Sequence, residues 1–311
     1  MTAALIVAFR RPSNLSQLIQ SCLENGIERI YVHLDAPTSL LSQVETRACF
    51  RVAQSFQDRN PETIKIRRSD QNLGTAAAVI NACNWVFENE EYSIILEDDC
   101  LPSDQFFDFV RDTRQFVTTS PRIFAASGTQ LAPSSLTQEN LSLSAYLMIW
   151  GWATSRDKWQ RMFSELMNMN LETLERGSLD IAEFAYWRSG ARRALQGIVD
   201  AWDIPLMLNF RINNRLVVLP NCNLITNIGS DHVAINTDSR SKFTQMPLGT
   251  YKGFTSVPSS NDALDEWIKR AVFGISWRHL LSTKLTHLYD CLVGFRSKRG
   301  PLLARLHTVH Q

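Results

Sequence analysis

Through the first hundred residues, short unbroken apolar runs alternate with longer segments whose apolar positions recur every three or four residues. Leu5-Ile6-Val7-Ala8-Phe9 is the first run, and its continuous apolar character predicts a strand buried on both faces. Arg10-Arg11-Pro12-Ser13-Asn14 follows, then an amphipathic segment over 15–23. Pro12 disfavours helix at Arg11, and Ser13 or Asn14 is the expected cap of the helix after it. Gly26 closes that helix, and Ile30-Tyr31-Val32-His33-Leu34 predicts a second strand ending in Asp35-Ala36-Pro37. The pattern continues with a polar helix around 41–58, a strand at 63–67, a turn at 69–74 and an apolar helix over 75–88. This β-α-β order with short joints predicts parallel strands and right-handed crossovers, which bring Arg10, Arg11 and Asp35 to one edge of the sheet.

The next strand, Ile94-Ile95-Leu96, runs straight into Glu97-Asp98-Asp99. Ligands of open α/β sheets bind beyond the carboxyl ends of the strands. Adjacent carboxylates resist common ionisation unless a cation compensates them, and hard oxygen ligands without Cys or His suit Mg²⁺ or Mn²⁺. The plain alternative is a solvated acidic turn. No Gly-x-Gly-x-x-Gly follows the first strand and no Gly-x-x-x-x-Gly-Lys-Ser/Thr occurs anywhere, which argues against a dinucleotide dehydrogenase or a P-loop ATPase. A diphosphate held through a divalent ion is the remaining arrangement, and it describes a nucleotide-sugar enzyme.

Further along, strands are expected at 123–128 and 145–152, helices at 156–167 and 181–197, and a helix entry at Ile204-Pro205. The polar loop 129–141, with Pro133, is expected to cover the donor and exclude water.

Leu96-Glu97-Asp98-Asp99-Cys100-Leu101-Pro102-Ser103, followed by Phe106-Phe107-Asp108-Phe109, resembles the metal-binding DxD-like segment of GT-A-fold glycosyltransferases, in particular N-acetylglucosaminyltransferase I and its bacterial relatives. Trp150-Gly151-Trp152-Ala153-Thr154, with Arg156 and Trp159, is similar to the Trp-Gly-Trp-Ala segment of those bacterial enzymes. Asn227-Ile228-Gly229 with His232 is similar to their Asn-Ile-Gly segment, so the likeness extends over roughly residues 3–237.

The resemblance implies an α/β fold, a GT-A-type Rossmann-like mixed sheet flanked by helices. Residues 1–240 would form the catalytic domain, with a nucleotide-sugar-binding half at 1–110 and an acceptor half at 111–240. The implied activity is metal-dependent, inverting transfer of a hexosyl or N-acetylhexosaminyl group from a UDP-sugar to a hydroxyl of a bacterial surface glycan or lipid-linked oligosaccharide. Asp99 becomes the ligand of Mn²⁺ or Mg²⁺, with Glu97 and Asp98 reaching ribose or metal-bound water. Asp35 corresponds to the acid that recognises the base, Arg10 or Arg11 to an arginine beside the nucleotide, and Asp203 of the Trp202-Asp203 pair to the catalytic base. The chemistry is consistent with these roles: the leaving diphosphate needs its charge neutralised, and the attacking hydroxyl needs a carboxylate to take its proton.

Each residue also has a plainer reading. Asp203 caps a helix, acts as the base, or does both. His232 ligates the metal, contacts diphosphate, or sits in a polar loop. Trp150 and Trp152 are core, or the glycine between the two indoles marks a close backbone approach and a platform for a sugar face, with Trp152 the donor-binding candidate. A sugar nucleotidyltransferase is the main competing activity, although its glycine-rich loop after the first strand is missing here. A non-catalytic glycan-assembly protein on the same fold is the third reading.

The six cysteines form no Cys-x-x-Cys pair and are expected to be reduced, buried thiols. The first apolar run leads directly into the fold, so neither a signal peptide nor an anchor is expected and a cytoplasmic protein is. Net charge is only +1, yet residues 241–311 carry ten Lys or Arg against four Asp or Glu. This mainly helical, basic extension either docks on the catalytic domain or lies peripherally on an anionic membrane. Nucleic acid is not an expected partner, because no recognised binding module accompanies the charge.

Overall fold

The computed structural model describes residues 2–137, 141–229, 243, 245–277 and 300–309. The first part of the chain runs β1 (Ala3–Ala8), α1 (Pro12–Glu24), β2 (Arg29–Leu34), α2 (Leu40–Arg59), β3 (Ile64–Arg68), α3 (Thr75–Asn89) and β4 (Tyr92–Glu97). It continues through β5 (Cys100–Pro102), α4 (Asp104–Thr119), β6 (Ile123–Ser127), β7 (Ser142–Ser144), β8 (Trp152–Ser155), α5 (Arg156–Met167), α6 (Ile181–Leu195) and α7 (Asp203–Ile212). The last elements are β9 (Leu216–Leu219), β10 (Ile225–Asn227), β11 (Ser259–Ser260), α8 (Asp262–Trp267) and α9 (Leu302–Val309).

Among the described residues, nine strands build one mixed sheet in the order β11-β7-β9-β6-β8-β4-β1-β2-β3, and β5 pairs with β10 beside it. The fold is thus the expected α/β arrangement of a mixed sheet flanked by helices. β4, β1, β2 and β3 are mutually parallel, whereas β8 runs antiparallel between β4 and β6. The unbroken apolar run of β1 follows from its place between two core layers. Ala3, Leu5 and Val7 pack with α3 and the aromatic cluster on one face, while Ala4, Ile6 and Ala8 pack with α1, α2 and α4 on the other. Both faces exclude water, so the usual alternation of apolar and polar positions disappears.

The small residues of α3 let it lie close on β1: Ala76, Ala77, Ala78, Val79 and Ile80 are all buried. On the same face Trp152 stacks on Trp202, with ring centroids 5.8 Å apart, and Trp159 lies 6.4 Å from Trp152. Such rings contribute large buried area and preferred offset geometries.

Two local expectations are corrected. The first helix begins at Pro12 with Arg11 at its cap and no side-chain cap bond, so Ser13 and Asn14 lie inside it. Asn14 instead donates to the carbonyl of Asp98, 3.0 Å away. The strand expected at 145–152 does not form: residues 145–151 are irregular backbone between β7, which ends at Ser144, and β8, which begins at Trp152, and the chain turns at Gly151, where φ is +65°. A Cβ there would lie 2.4 Å from Cδ1 of Ile225, so both the backbone angle and the close approach call for glycine.

Of the cysteines, Cys22, Cys49, Cys83, Cys100 and Cys222 are free thiols, and the first four are buried. No described helix is long and apolar enough to cross a membrane.

The buried ring of His33 faces Ser69, its Nε2 lying 3.3 Å from Oγ, and its Nδ1 has no hydrogen-bond partner. Burial, aided by the charge of Arg67, pulls its pKa from 6.5 to about 4. A histidine whose pKa is depressed on folding contributes stability that is present above pH 6.5 and is lost as pH falls toward 4, because the unfolded chain takes up the proton first. Replacing His33 by Phe should therefore remove about 3 kcal/mol of the stability lost over that window. Urea unfolding at both pH values checks this, and an unchanged pH slope would contradict it.

Candidate functional site

A cavity of about 610 Å³ opens at the carboxyl ends of β1, β2 and β4 and is walled on the far side by the start of α7. Arg10, Arg11, Asp35, Glu97, Asp98, Asp99 and Asp203 all line it, although they come from four separate stretches of chain. Trp152 does not reach it. That ring is fully buried against Trp202, and Trp150 lines the cavity in its place. The turn at Gly151 sends one indole to the cavity and the next into the core, an outcome alternation alone does not reveal. His232 lies outside the described residues.

Asp98 joins the ends of β1 and β4. Its N–H donates to the carbonyl of Val7 at 3.0 Å, while its carboxylate accepts from the N–H of Phe9 at 2.8 Å and from Nη1 of Arg11 at 2.7 Å. A buried carboxylate persists only when its lone pairs are satisfied this way. Arg10 is occupied by Glu45 of α2, 2.8 Å away.

Asp35 likewise organises a loop. Its two oxygens accept from the backbone N–H groups of Leu73 and Gly74 and from the side chain of Asn72, between 2.9 and 3.2 Å. Asp200 accepts from the N–H groups of Thr75 and Ala76 at the start of α3, at 2.9 and 3.3 Å, satisfying donors a helix N-terminus leaves open. Arg305 of α9 completes this wall, donating to Asp200 at 3.1 Å and to the carbonyl of Leu73 at 2.7 Å. Asn72, Gly74, Thr75 and Asp200 line the cavity yet were not singled out as site residues from the sequence, and of the two indoles weighed as a sugar platform it is Trp150 that lines the cavity. Only the Gly74 turn and the Trp-Gly-Trp segment gave any signal there.

Three carboxylates remain for the cavity. Glu97 ends β4, and burial together with the charges of Asp99, Asp203 and Asp98 raises its pKa well above the carboxylate range. Asp99 is raised by burial and by Asp98, against the thiol of Cys100, which donates to its Oδ1 at 3.2 Å, and the more distant Arg11. Asp203 sits in the first turn of α7, after Trp202 at a cap with no side-chain bond. Burial raises its pKa, while its own N–H and that of Ile204 hold it down. Ionising all three would concentrate charge of one sign in a sheltered space, which burial and mutual repulsion resist unless a cation compensates it.

Among the described residues, no three His, Cys, Asp or Glu side chains form a metal-ligand cluster. An ion on Asp99 would therefore complete its shell with oxygens brought by a substrate or water, as Mg²⁺ often does. Asp99 is also confined from behind: its backbone carbonyl accepts from the N–H of Ile228 at 2.8 Å, and a Cβ on Gly229 would lie 2.3 Å from the carboxylate Oδ2.

No protein-family model and no curated protein matches the chain. Solved structures with a similar chain trace include the inositol-1-phosphate CTP transferase from T. maritima, at 10% identity over 70% of this chain and 84% of that one, with a TM-score of 0.37. A UDP-glucose pyrophosphorylase complexed with UDP-glucose is 8% identical over 70% of this chain and 89% of its own, TM-score 0.35. A putative glucose-1-phosphate thymidylyltransferase from Bacillus anthracis is 13% identical over 60% and 82%, TM-score 0.33. These are nucleotidyltransferases, and the likeness to N-acetylglucosaminyltransferase I has no counterpart among them. Likeness at this level carries no assignment of activity.

Gly229→Ala should displace the Asp99 carboxylate while leaving the sheet intact. The expected result is an Asp99 carboxylate moved from its present position in a crystal structure of the variant, with little change in melting temperature. A carboxylate left in place would show that Gly229 does not set the position of Asp99.

Proposed function

We propose that this chain is a metal-dependent glycosyltransferase that moves a sugar from a nucleoside diphosphate, a UDP-sugar in the first instance, to an acceptor hydroxyl. The observation that carries the reading is the convergence of Asp99, at the strand end, and Asp203, at the start of α7, on one cavity. In this reading Asp99 holds Mn²⁺ or Mg²⁺, which when bound neutralises the departing diphosphate as a Lewis acid. Glu97 lies beside it for ribose or metal-bound water. Arg11, fixed by Asp98, adds positive charge near the phosphates.

Asp203 takes the proton of the attacking hydroxyl. A raised carboxylate pKa suits a general base, because it brings the proton affinity closer to that of the group being deprotonated. Attack opposite the leaving group inverts the anomeric centre, and the resemblance noted above is what favours inversion. Trp150 is the aromatic face available to a sugar ring. Asp35 acts by holding the 72–74 loop, and a direct contact with the base is secondary to that work.

The second reading is a sugar nucleotidyltransferase, the class of the solved structures named above. It requires a loop after β1 able to wrap a triphosphate. Here Phe9-Arg10-Arg11-Pro12 contains no glycine, and the N–H of Phe9 is already given to Asp98.

Asp203→Asn should leave UDP-sugar binding nearly intact and lower turnover by about 10²–10⁴-fold, measured as UDP release in the presence of acceptor. Retention of most activity would remove Asp203 from the base role. Pyrophosphate release from a nucleoside triphosphate and a sugar 1-phosphate would instead establish the second reading.

A further inference from the structure

The first turn of α2 presents Leu40, Leu41 and Val44 to solvent, at 84%, 70% and 65% exposure. Nothing in the helix needs them there. Its N-terminus is closed by a capping box between Ser39 and Ser42, and its packing is done by Ser42, Thr46, Cys49, Ala53 and Phe56 on the opposite side. Leu40, Val44, Arg47 and Arg51 follow one another at helical spacing along one exposed stripe, with the apolar residues at the end nearest the cavity. Arg47 and Arg51 are exposed and make no ion pair among the described residues. Glu45, between them and the tip, is held by Arg10 of the cavity wall.

An apolar tip followed by unneutralised arginines matches the layering of an anionic bilayer surface, where apolar side chains enter the acyl boundary and cations meet phosphate headgroups. A second copy of the chain fits less well. A stable interface buries at least about 1,200 Å² in total, far more than three aliphatic side chains supply. We infer that the first turn of α2, Leu40, Leu41 and Val44 with Arg47 and Arg51, is a peripheral docking site for an anionic phospholipid surface.

The stripe adjoins the cavity wall through the Arg10–Glu45 pair, so docking there places that wall beside the lipid surface. Under the activity proposed above, that is where a lipid-linked acceptor would be found. The contact itself requires neither nucleotide nor turnover.

Co-flotation of the full chain with phosphatidylglycerol-containing vesicles tests it, with pure phosphatidylcholine vesicles as the neutral comparison. Binding to the anionic vesicles, weakened by salt, is expected. Leu40→Ser with Leu41→Ser should lower the partition coefficient about tenfold. Arg47→Gln with Arg51→Gln should lower it by a similar factor on anionic vesicles only. All four side chains are exposed, so melting temperatures should be unchanged. The inference is overturned if the natural chain does not float, if both double variants float as well as it does, or if the leucine pair instead abolishes self-association seen by sedimentation equilibrium. None of these results bears on whether Asp203 supports sugar transfer.

Discussion

The site depends on one buried carboxylate that does no chemistry in the proposed reaction. Asp98 ties the end of β4 to the end of β1 through the Val7 carbonyl, the Phe9 N–H, the Arg11 guanidinium and, from its own carbonyl, Asn14 of α1. Removing one partner from such a buried, charge-assisted set costs several kcal/mol, of the order of 3–5. The same bonds fix Arg11 beside the cavity and force the chain to turn, so that Glu97 and Asp99 reach the cavity on either side of their tethered neighbour. The position of the candidate ligand thus follows from the pairing of two parallel strands.

A division of labour among carboxylates extends this logic around the cavity. Asp35, Asp98 and Asp200 spend their lone pairs on backbone N–H groups and guanidinium groups, and each holds together segments far apart in sequence. Glu97, Asp99 and Asp203 are left with raised pKa values and few donors. The acids that build the wall are held by donors of the fold, and those that face the cavity are held by few of them. Arg305 brings the end of the chain into the same construction, since α9 locks Asp200 and the loop before α3 together.

Much of this was legible where local pattern and tertiary environment agree. β1 is apolar throughout, and β4 through Ile94-Ile95-Leu96, because both faces are covered, and a strand that ends in three acids at the carboxyl edge of a sheet is a candidate site by its pattern alone. Asp200 was not legible, because its role depends on helix donors more than a hundred residues away. Trp152 was misplaced because a single positive φ at Gly151 reverses which indole faces the cavity. The start of the loop expected to cover the donor is anchored: Thr129, Gln130 and Leu131 are buried, Gln130 donates to the carbonyl of Pro220 at 3.0 Å, and none of these three lines the cavity; residues 138–140 lie outside the described residues. The basic tail divides as well. Lys269 and Arg270 pair with Asp180 and Glu266, while Leu302 and Leu306 bury α9 against the core.

In the proposed reaction Asp99 holds a divalent cation for a nucleoside diphosphate. Calorimetric titration of UDP into the protein with Mn²⁺, then with EDTA, and again with Asp99→Ala decides whether it does. Binding that requires the metal and is lost in the variant is expected. Binding that survives both EDTA and the substitution, or no binding of UDP under any of these conditions, would contradict it.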